Sequence, residues 1–418
     1  MGAHPGYRPL NAEAGVASAS LSIRDRALRA LLRRTFGAAP LSFGLTDGTR
    51  LWEPGAASVA TVVFADRATL LRVLVAPEAS FGDAFSSGRV EVRGDLVAAL
   101  EAAYRALDER PPGMRALRRI GRHTLRASRD SVHHHYDLGN DFYRLWLDER
   151  MLYSCAYFPA PDWSLEEAQI AKMDHVCHKL RLRPGESVVE AGSGWGGLAL
   201  HMARHYGVTV TAYNVSREQV LYARDQAARE GLAARVAFLE EDYRRIRGRF
   251  DAFVSLGMLE HVGTENYGAL GRILEACLAR PHGRGLIHFI GCDEPRPLNP
   301  WIRQRIFPGA APPTLGQMVR GVLEHAPLSV VDVENLRLHY AATLALWRAR
   351  FENAWDAVAA RSGEKFARAW RLYLAGSEAA FRSGSLQLFQ VAFACRGHND
   401  VPWTRGDYRE APWKAATP

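Results

Sequence analysis

Val188-Val189-Glu190-Ala191-Gly192-Ser193-Gly194-Trp195-Gly196-Gly197-Leu198 carries an apolar pair up to an acidic residue, crowds glycines into a turn, and leads into an amphipathic run over residues 198–205. That order predicts a first β-strand passing through a Gly-rich loop into a first helix. Glycine allows positive φ and close approach of a backbone to a ligand. No Gly-Lys-Ser/Thr follows, which argues against a triphosphate cradle, and glycines occupy positions that G-x-G-x-x-G leaves variable. An E/D-x-G-x-G loop on a doubly wound sheet instead predicts a hold on the amino-acid end of S-adenosylmethionine (SAM). A glycine turn in some other α/β protein is the competing reading.

Downstream the pattern continues in strand and helix alternation. Strand-like runs at 208–213, 236–238, 250–255 and 285–290 predict a parallel sheet, with ligand contacts at the strands' carboxyl ends. Those ends fall at 190–196, 214–219, 242–244 and 257–263. The second strand ends in Tyr213-Asn214 rather than an acidic residue, which leaves Gln219 or an amide to take ribose hydroxyls. An insertion opens at Trp301, and runs at 330–333 and 386–395 supply two last strands, with helices at 340–355 and around 366–381 between them. The aromatic and leucine faces of those helices read as an apolar substrate channel or as ordinary core, and helical spacing alone favours core.

Upstream, residues 1–20 are small, Gly- and Ala-rich and aperiodic, and read as disordered. Helices at 23–36, 67–76 and 95–108, strands at 41–43, 50–52 and 60–64, and a hairpin-like run at 87–95 predict a small α+β domain with a binding or docking role. The expected boundaries are 1–110 for that domain, 111–130 for a linker, 131–398 for the larger domain and 399–418 for a tail. The linker repeats arginine at 115, 118, 119, 122, 126 and 129, a basic helix that suits an anionic bilayer or serves as a solvated connector. It lacks the interleaved aromatics of single-strand nucleic-acid grooves, so nucleic acid is not expected. His133-His134-His135 cannot easily converge on one ion, and no metal is expected. The aromatic-polar stretches at 135–143 and 151–158 read as a lid or pocket wall.

Composition bounds the rest. The 418 residues are 48% apolar and 23% charged, ordinary for a globular chain, and no apolar window is long enough for a membrane span. No signal pattern opens the sequence, and five scattered cysteines (155, 177, 277, 292, 395) fit a reducing cytoplasm. A net charge of +8 suits an anionic partner.

Five ordered motifs then converge: His-Tyr-Asp-Leu-Gly-Asn-Asp-Phe-Tyr (135–143), Tyr-Ser-Cys-Ala-Tyr-Phe (153–158), Gly-Ser-Gly-Trp-Gly-Gly (192–197), Gly-Met-Leu-Glu-His-Val-Gly (257–263) and Gln-Leu-Phe-Gln-Val (387–391). Together they closely resemble the cyclopropane-fatty-acyl-phospholipid synthase family over residues 130–396, and residues 80–100 resemble its smaller N-terminal domain. The resemblance implies a Rossmann-like class I SAM-dependent methyltransferase sheet. It implies methyl transfer to a cis double bond of a phospholipid acyl chain, with bound bicarbonate taking the proton as a cyclopropane closes. The implied bicarbonate cradle is Cys155, Glu260, His288, the backbone at Ile290, and Tyr340. The implied SAM site is Tyr153, Ser154, Glu190, Gly192, Ser193, Gly194, Trp195, Gly196, Asn214, Ser216, Gln219, Tyr243 and Arg244. Relatives suggest a homodimer, cytoplasmic and peripherally associated with an anionic membrane whose unsaturated phospholipid is the substrate. Residue by residue the departures are Glu190, Ala191 and Ser193 for the usual Asp, branched aliphatic and Cys, Leu259 for Phe, Phe389 for Trp, and Ala341 for an Asp near Tyr340. They put substrate identity in more doubt than the fold. A C-methyltransferase making methylene- or methyl-branched chains and a small-amine N-methyltransferase are the alternatives, with a non-enzymatic lipid-binding protein last.

Overall fold

The computed structural model describes residues 21–55, 57–108 and 138–409. The stretch read as disordered (1–20), the arginine-rich linker, the histidine triplet with Tyr136 and Asp137, and the last residues of the tail lie outside the described residues.

The N-terminal unit is a helix, Ile23–Phe36, on a four-stranded sheet of β1 (Leu41–Leu45), β2 (Arg50–Trp52), β3 (Ala60–Phe64) and β4 (Val90–Gly94), in the order β2-β1-β3-β4. Leu28, Leu32 and Phe36 recur at helical spacing and are buried, while the arginines between them face outward. The run at 87–95 is not a hairpin. Only β4 lies there, and it pairs antiparallel with β3 across two intervening helices, Arg67–Val75 and Pro77–Ser86. Pro77 occupies the first turn of the second helix, where its missing N–H costs nothing.

The larger unit is a seven-stranded sheet of β5 (Ser187–Ala191), β6 (Thr209–Asn214), β7 (Val236–Glu240), β8 (Ala252–Leu256), β9 (Arg284–Gly291), β10 (Leu328–Asn335) and β11 (Gln387–Cys395). Its order is β10-β11-β9-β8-β5-β6-β7, with β11 antiparallel to both neighbours and the other pairings parallel. Val188, Val189 and Ala191 are fully buried, because helices cover both faces and a central parallel strand needs no polar side. The strand order reverses between β5 and β8, which opens a crevice at their carboxyl ends. The helix expected at 340–355 is Arg337–Asn353, and a further helix, Trp355–Ser362, follows Ala354 before Gly363 at φ 85° starts Glu364–Ser383.

The two units share one core. Phe43, Phe64, Phe85 and Ala99 belong to the same buried cluster as Trp301, Trp370 and Leu372. Arg368 of the helix Glu364–Ser383 donates to the carbonyls of Phe85 and Val90 at 2.8 and 3.1 Å, and Trp301 Nε1 donates to Asp83 at 3.1 Å. Among the described residues no helix is long and apolar enough to cross a membrane.

Candidate active site

The crevice is walled by the strand ends that the sequence singles out. Glu190 lines it from the end of β5 and Gly192, Ser193, Gly194 and Trp195 from the loop after it, Asn214 from the end of β6, Gln219 from the helix Arg217–Arg229, and Tyr243 and Arg244 from the turn after β7. Tyr153 and Ser154 close it from the aromatic stretch, and Met258 and His261 face it from the loop after β8. Two predicted residues stand behind the wall. Gly196 takes φ 87°, and a Cβ there would meet Phe238 Cζ at 2.6 Å and Ala223 Cβ at 2.8 Å, so this glycine lets the loop close onto the sheet. Ser216 caps the helix Arg217–Arg229 through the Gln219 N–H. Asn214 stiffens the floor, its amide donating to Gly194 O at 3.0 Å and Gln219 Oε1 at 2.8 Å. Trp195 Nε1 donates to Asn140 Oδ1 at 2.7 Å, which ties the described end of the first aromatic motif to the glycine loop.

Glu190 is buried, and burial pushes its carboxyl up to about 8 against the partial relief of Lys172. Its Oε2 and the Ser193 Oγ are buried atoms with no hydrogen-bond partner among the described residues. Unmet polar atoms on a glycine loop fit a ligand that brings its own donors, as the ammonium and hydroxyls of SAM do.

A second group of side chains lies beside this crevice. Glu260 sits on the short turn Leu259–His261 after β8 and accepts the Ile290 N–H through Oε1 at 2.5 Å. Its Oε2 is buried without a partner, and burial raises the carboxyl to about 7. His288, two residues before Ile290 on β9, is pushed down to about 3 by burial first and by Lys172 next, so its ring is neutral. The Gln390 amide donates to its Nδ1 at 3.1 Å, which gives the fifth motif a contact. Burial pushes the Cys155 thiol well above its ordinary range. Ala156 N–H donates to Thr343 Oγ1 at 3.0 Å, and Tyr340 lies one turn earlier on that helix. Cys155 and Tyr340 share a core cluster against which Ile290 packs.

Aromatic rings surround Tyr153 and Tyr340. Tyr153 lies 5.3 Å from both Trp146 and Trp347, and Tyr340 lies 4.6 Å from Phe381 and 6.0 Å from Trp347. The Tyr153 and Tyr373 hydroxyls are 2.6 Å apart.

Sequence reading missed Gln169 and Lys172. Both lie on the helix Leu165–Lys179, both are wholly buried, and both reach back to the Tyr153–Cys155 segment. The available signal was two polar residues three apart on the same face as Leu165, Ala168, Met173 and Val176.

Comparison with known proteins fits this arrangement. Residues 123–391 match the sequence profile of the family described as mycolic acid cyclopropane synthetase. The chain is 38% identical over 385 residues to a Pseudomonas putida protein named "Probable fatty acid methyltransferase", covering 88% of this chain and 96% of that one. It is 40% identical over 261 residues to the cyclopropane-fatty-acyl-phospholipid synthase of Escherichia coli, covering 62% of this chain and 66% of that enzyme. The crystal structure of mycolic acid cyclopropane synthase CmaA1 complexed with SAH and CTAB superposes with a TM-score of 0.61 at 30% identity, covering 64% of this chain and 98% of that one. On this fold, these motifs and these matches, the chain belongs to the mycolic acid cyclopropane synthetase family of class I SAM-dependent methyltransferases.

Proposed function

We propose that the protein converts a cis double bond in a phospholipid acyl chain into a cyclopropane ring. One observation carries the reading: Glu260 and Ile290 form a buried carboxyl–amide pair, and Ile290 packs against a buried cluster that holds Trp146, Trp347 and Tyr340. SAM supplies an electrophilic methyl group, and its attack by the double bond leaves a carbocation on the acyl chain. Aromatic faces stabilise a cation by about 0.5–2 kcal/mol each when desolvated, and exclusion of water prevents its capture.

The proton must then leave the new methyl group. Cys155, Glu260, His288, the Ile290 amide and Tyr340 would hold the bicarbonate that takes it, with a neutral His288, its Nδ1 accepting from Gln390, left to donate through Nε2. Two bare anions repel, and a Glu260 that titrates near 7 can hold a proton of its own against such a partner. Glu190 and the loop amides would anchor SAM, with Tyr153 and Ser154 over it.

The N-terminal unit docks lipid in this reading. Support comes from an apolar cavity lined by Phe36, Phe43, Phe81 and Leu100 of this unit and by Trp301 and Leu372 of the larger one, and from the net charge of +8. A homodimer gripping an anionic membrane with two such units follows, and light scattering on a monomeric peak would count against it.

Expression in a bacterium lacking its own cyclopropane synthase, with lipid mass spectrometry and proton NMR, tests the chemistry. High-field cyclopropyl signals that vanish in Glu260→Gln support it. Product of equal mass with vinylidene signals, cleaved by ozone, moves the reading to a branching C-methyltransferase, which the name of the Pseudomonas putida relative favours. Unmodified lipid with SAM bound overturns both.

A further inference from the structure

Lys172 is wholly buried, and burial lowers its ammonium to about 8, against the pull of Asp148, Cys155 and Glu190, so its charge is costly unless the fold uses it. Its Nζ donates to the Ser154 hydroxyl at 2.9 Å. One turn earlier on the same helix, Gln169 Nε2 donates to the Leu152 and Ser154 carbonyls at 3.3 and 3.0 Å. That helix face therefore grips the short segment whose successive residues serve two places: Tyr153 and Ser154 line the crevice, and Cys155 lies in the buried group beside it. Among the described residues no carboxylate stands within ion-pair distance of Nζ. The ammonium instead acts through space on Asp148, Cys155, Glu190 and His288. A buried charge is ordinarily paired, so an ammonium with no carboxylate against it stands out.

We propose that Lys172 is a positioning residue that joins the two halves of the site: it fixes Ser154 and Cys155 and supplies the buried positive charge that lets Glu190 face SAM as a carboxylate. The proposal rests on the reading of the crevice as the SAM site.

Lys172→Met keeps the stem and removes the charge. SAM binding to the full chain is measured by calorimetry from pH 6.5 to 9.5, beside the wild type, Ser154→Ala and the exposed control Lys365→Met. Glu190 gains its charge and Lys172 loses its own over the same interval around 8, so the wild type should bind more tightly as pH rises to that point and weaken again above it. In Lys172→Met that rise should move to higher pH, with affinity at pH 7.5 at least about tenfold lower, one pH unit of carboxylate population. Ser154→Ala loses one hydrogen bond and should weaken SAM about threefold with its pH profile unmoved, while Lys365→Met stays at wild type. A folded Lys172→Met with wild-type affinity and pH profile overturns the proposal, as does a loss equal at every pH, which is what packing damage alone produces. Should Lys172→Met fail to fold, unchanged SAM binding by Ser154→Ala overturns it. No SAM binding by the wild type refutes the crevice reading instead, so the two failures are distinguishable.

Discussion

Replacing Glu260 with Gln should make the protein more stable in alkali while abolishing turnover. Burial moves the carboxyl from 4.5 to about 7, although the Ile290 amide favours its charged form. In the unfolded chain the proton leaves near 4.5, so the folded state holds one that the unfolded state has lost across the interval between. Stability from this group is fully present below pH 4.5 and is lost as pH rises through 7. At about 1.4 kcal/mol per pH unit, the native state above pH 8 carries roughly 3 kcal/mol of cost for an ionised Glu260. Gln preserves an acceptor for the Ile290 N–H and cannot ionise. Equilibrium urea unfolding of both proteins from pH 5 to 9 reads the difference. The gap should widen in favour of Glu260→Gln by about 3 kcal/mol across that range, and Glu190 cancels because both proteins carry it. Curves that stay parallel would refute the argument that Glu260 is dry and costly. Product formation should fall by about a hundredfold or more if this carboxyl handles a proton.

Other consequences are as direct. Glu190→Gln should lose SAM affinity by about tenfold or more, as a charged hydrogen bond disappears, yet melt higher than wild type at pH 9, because its carboxyl is raised to about 8; calorimetry and a thermal scan check the pair. Gly196→Ala should cost about 2–4 kcal/mol, since its positive φ and the contacts with Phe238 and Ala223 both oppose a methyl group; urea midpoints report it. All five cysteines are buried and free, so iodoacetamide at pH 8 should label none of them in the native protein and all of them in urea, counted by intact mass.

The parts legible in the sequence are those where local chemistry demands one residue type. Positive φ at Gly192 and Gly196 allows little but glycine, and a doubly covered strand such as β5 sets Val188 and Val189 side by side with no polar alternation. The strand ends followed from topology, which is why Asn214, Gln219 and Tyr243 were found without a ligand in view. What escaped was non-local. Val90–Gly94 looks like half of a hairpin, but its partner is β3, reached only after two helices. Lys172 looks like any surface lysine on a helix, and only the segment at Ser154 folding over it makes it interior. The helix end near Ala354 was read to within two residues, but the short helix Trp355–Ser362 after it was not, because its eight residues give too little periodicity to stand out.

The common core of the two units has a consequence for how the enzyme can be divided. Cutting before the catalytic sheet would strip Trp301 and Leu372 of Phe85 and Ala99, and would leave Arg368 without the two carbonyls it serves. The smaller unit is thus less a detachable membrane tag than a missing wall of the larger one. A displacement of the smaller unit would bear directly on the helix Glu364–Ser383, whose Tyr373 hydroxyl meets that of Tyr153 in the crevice wall.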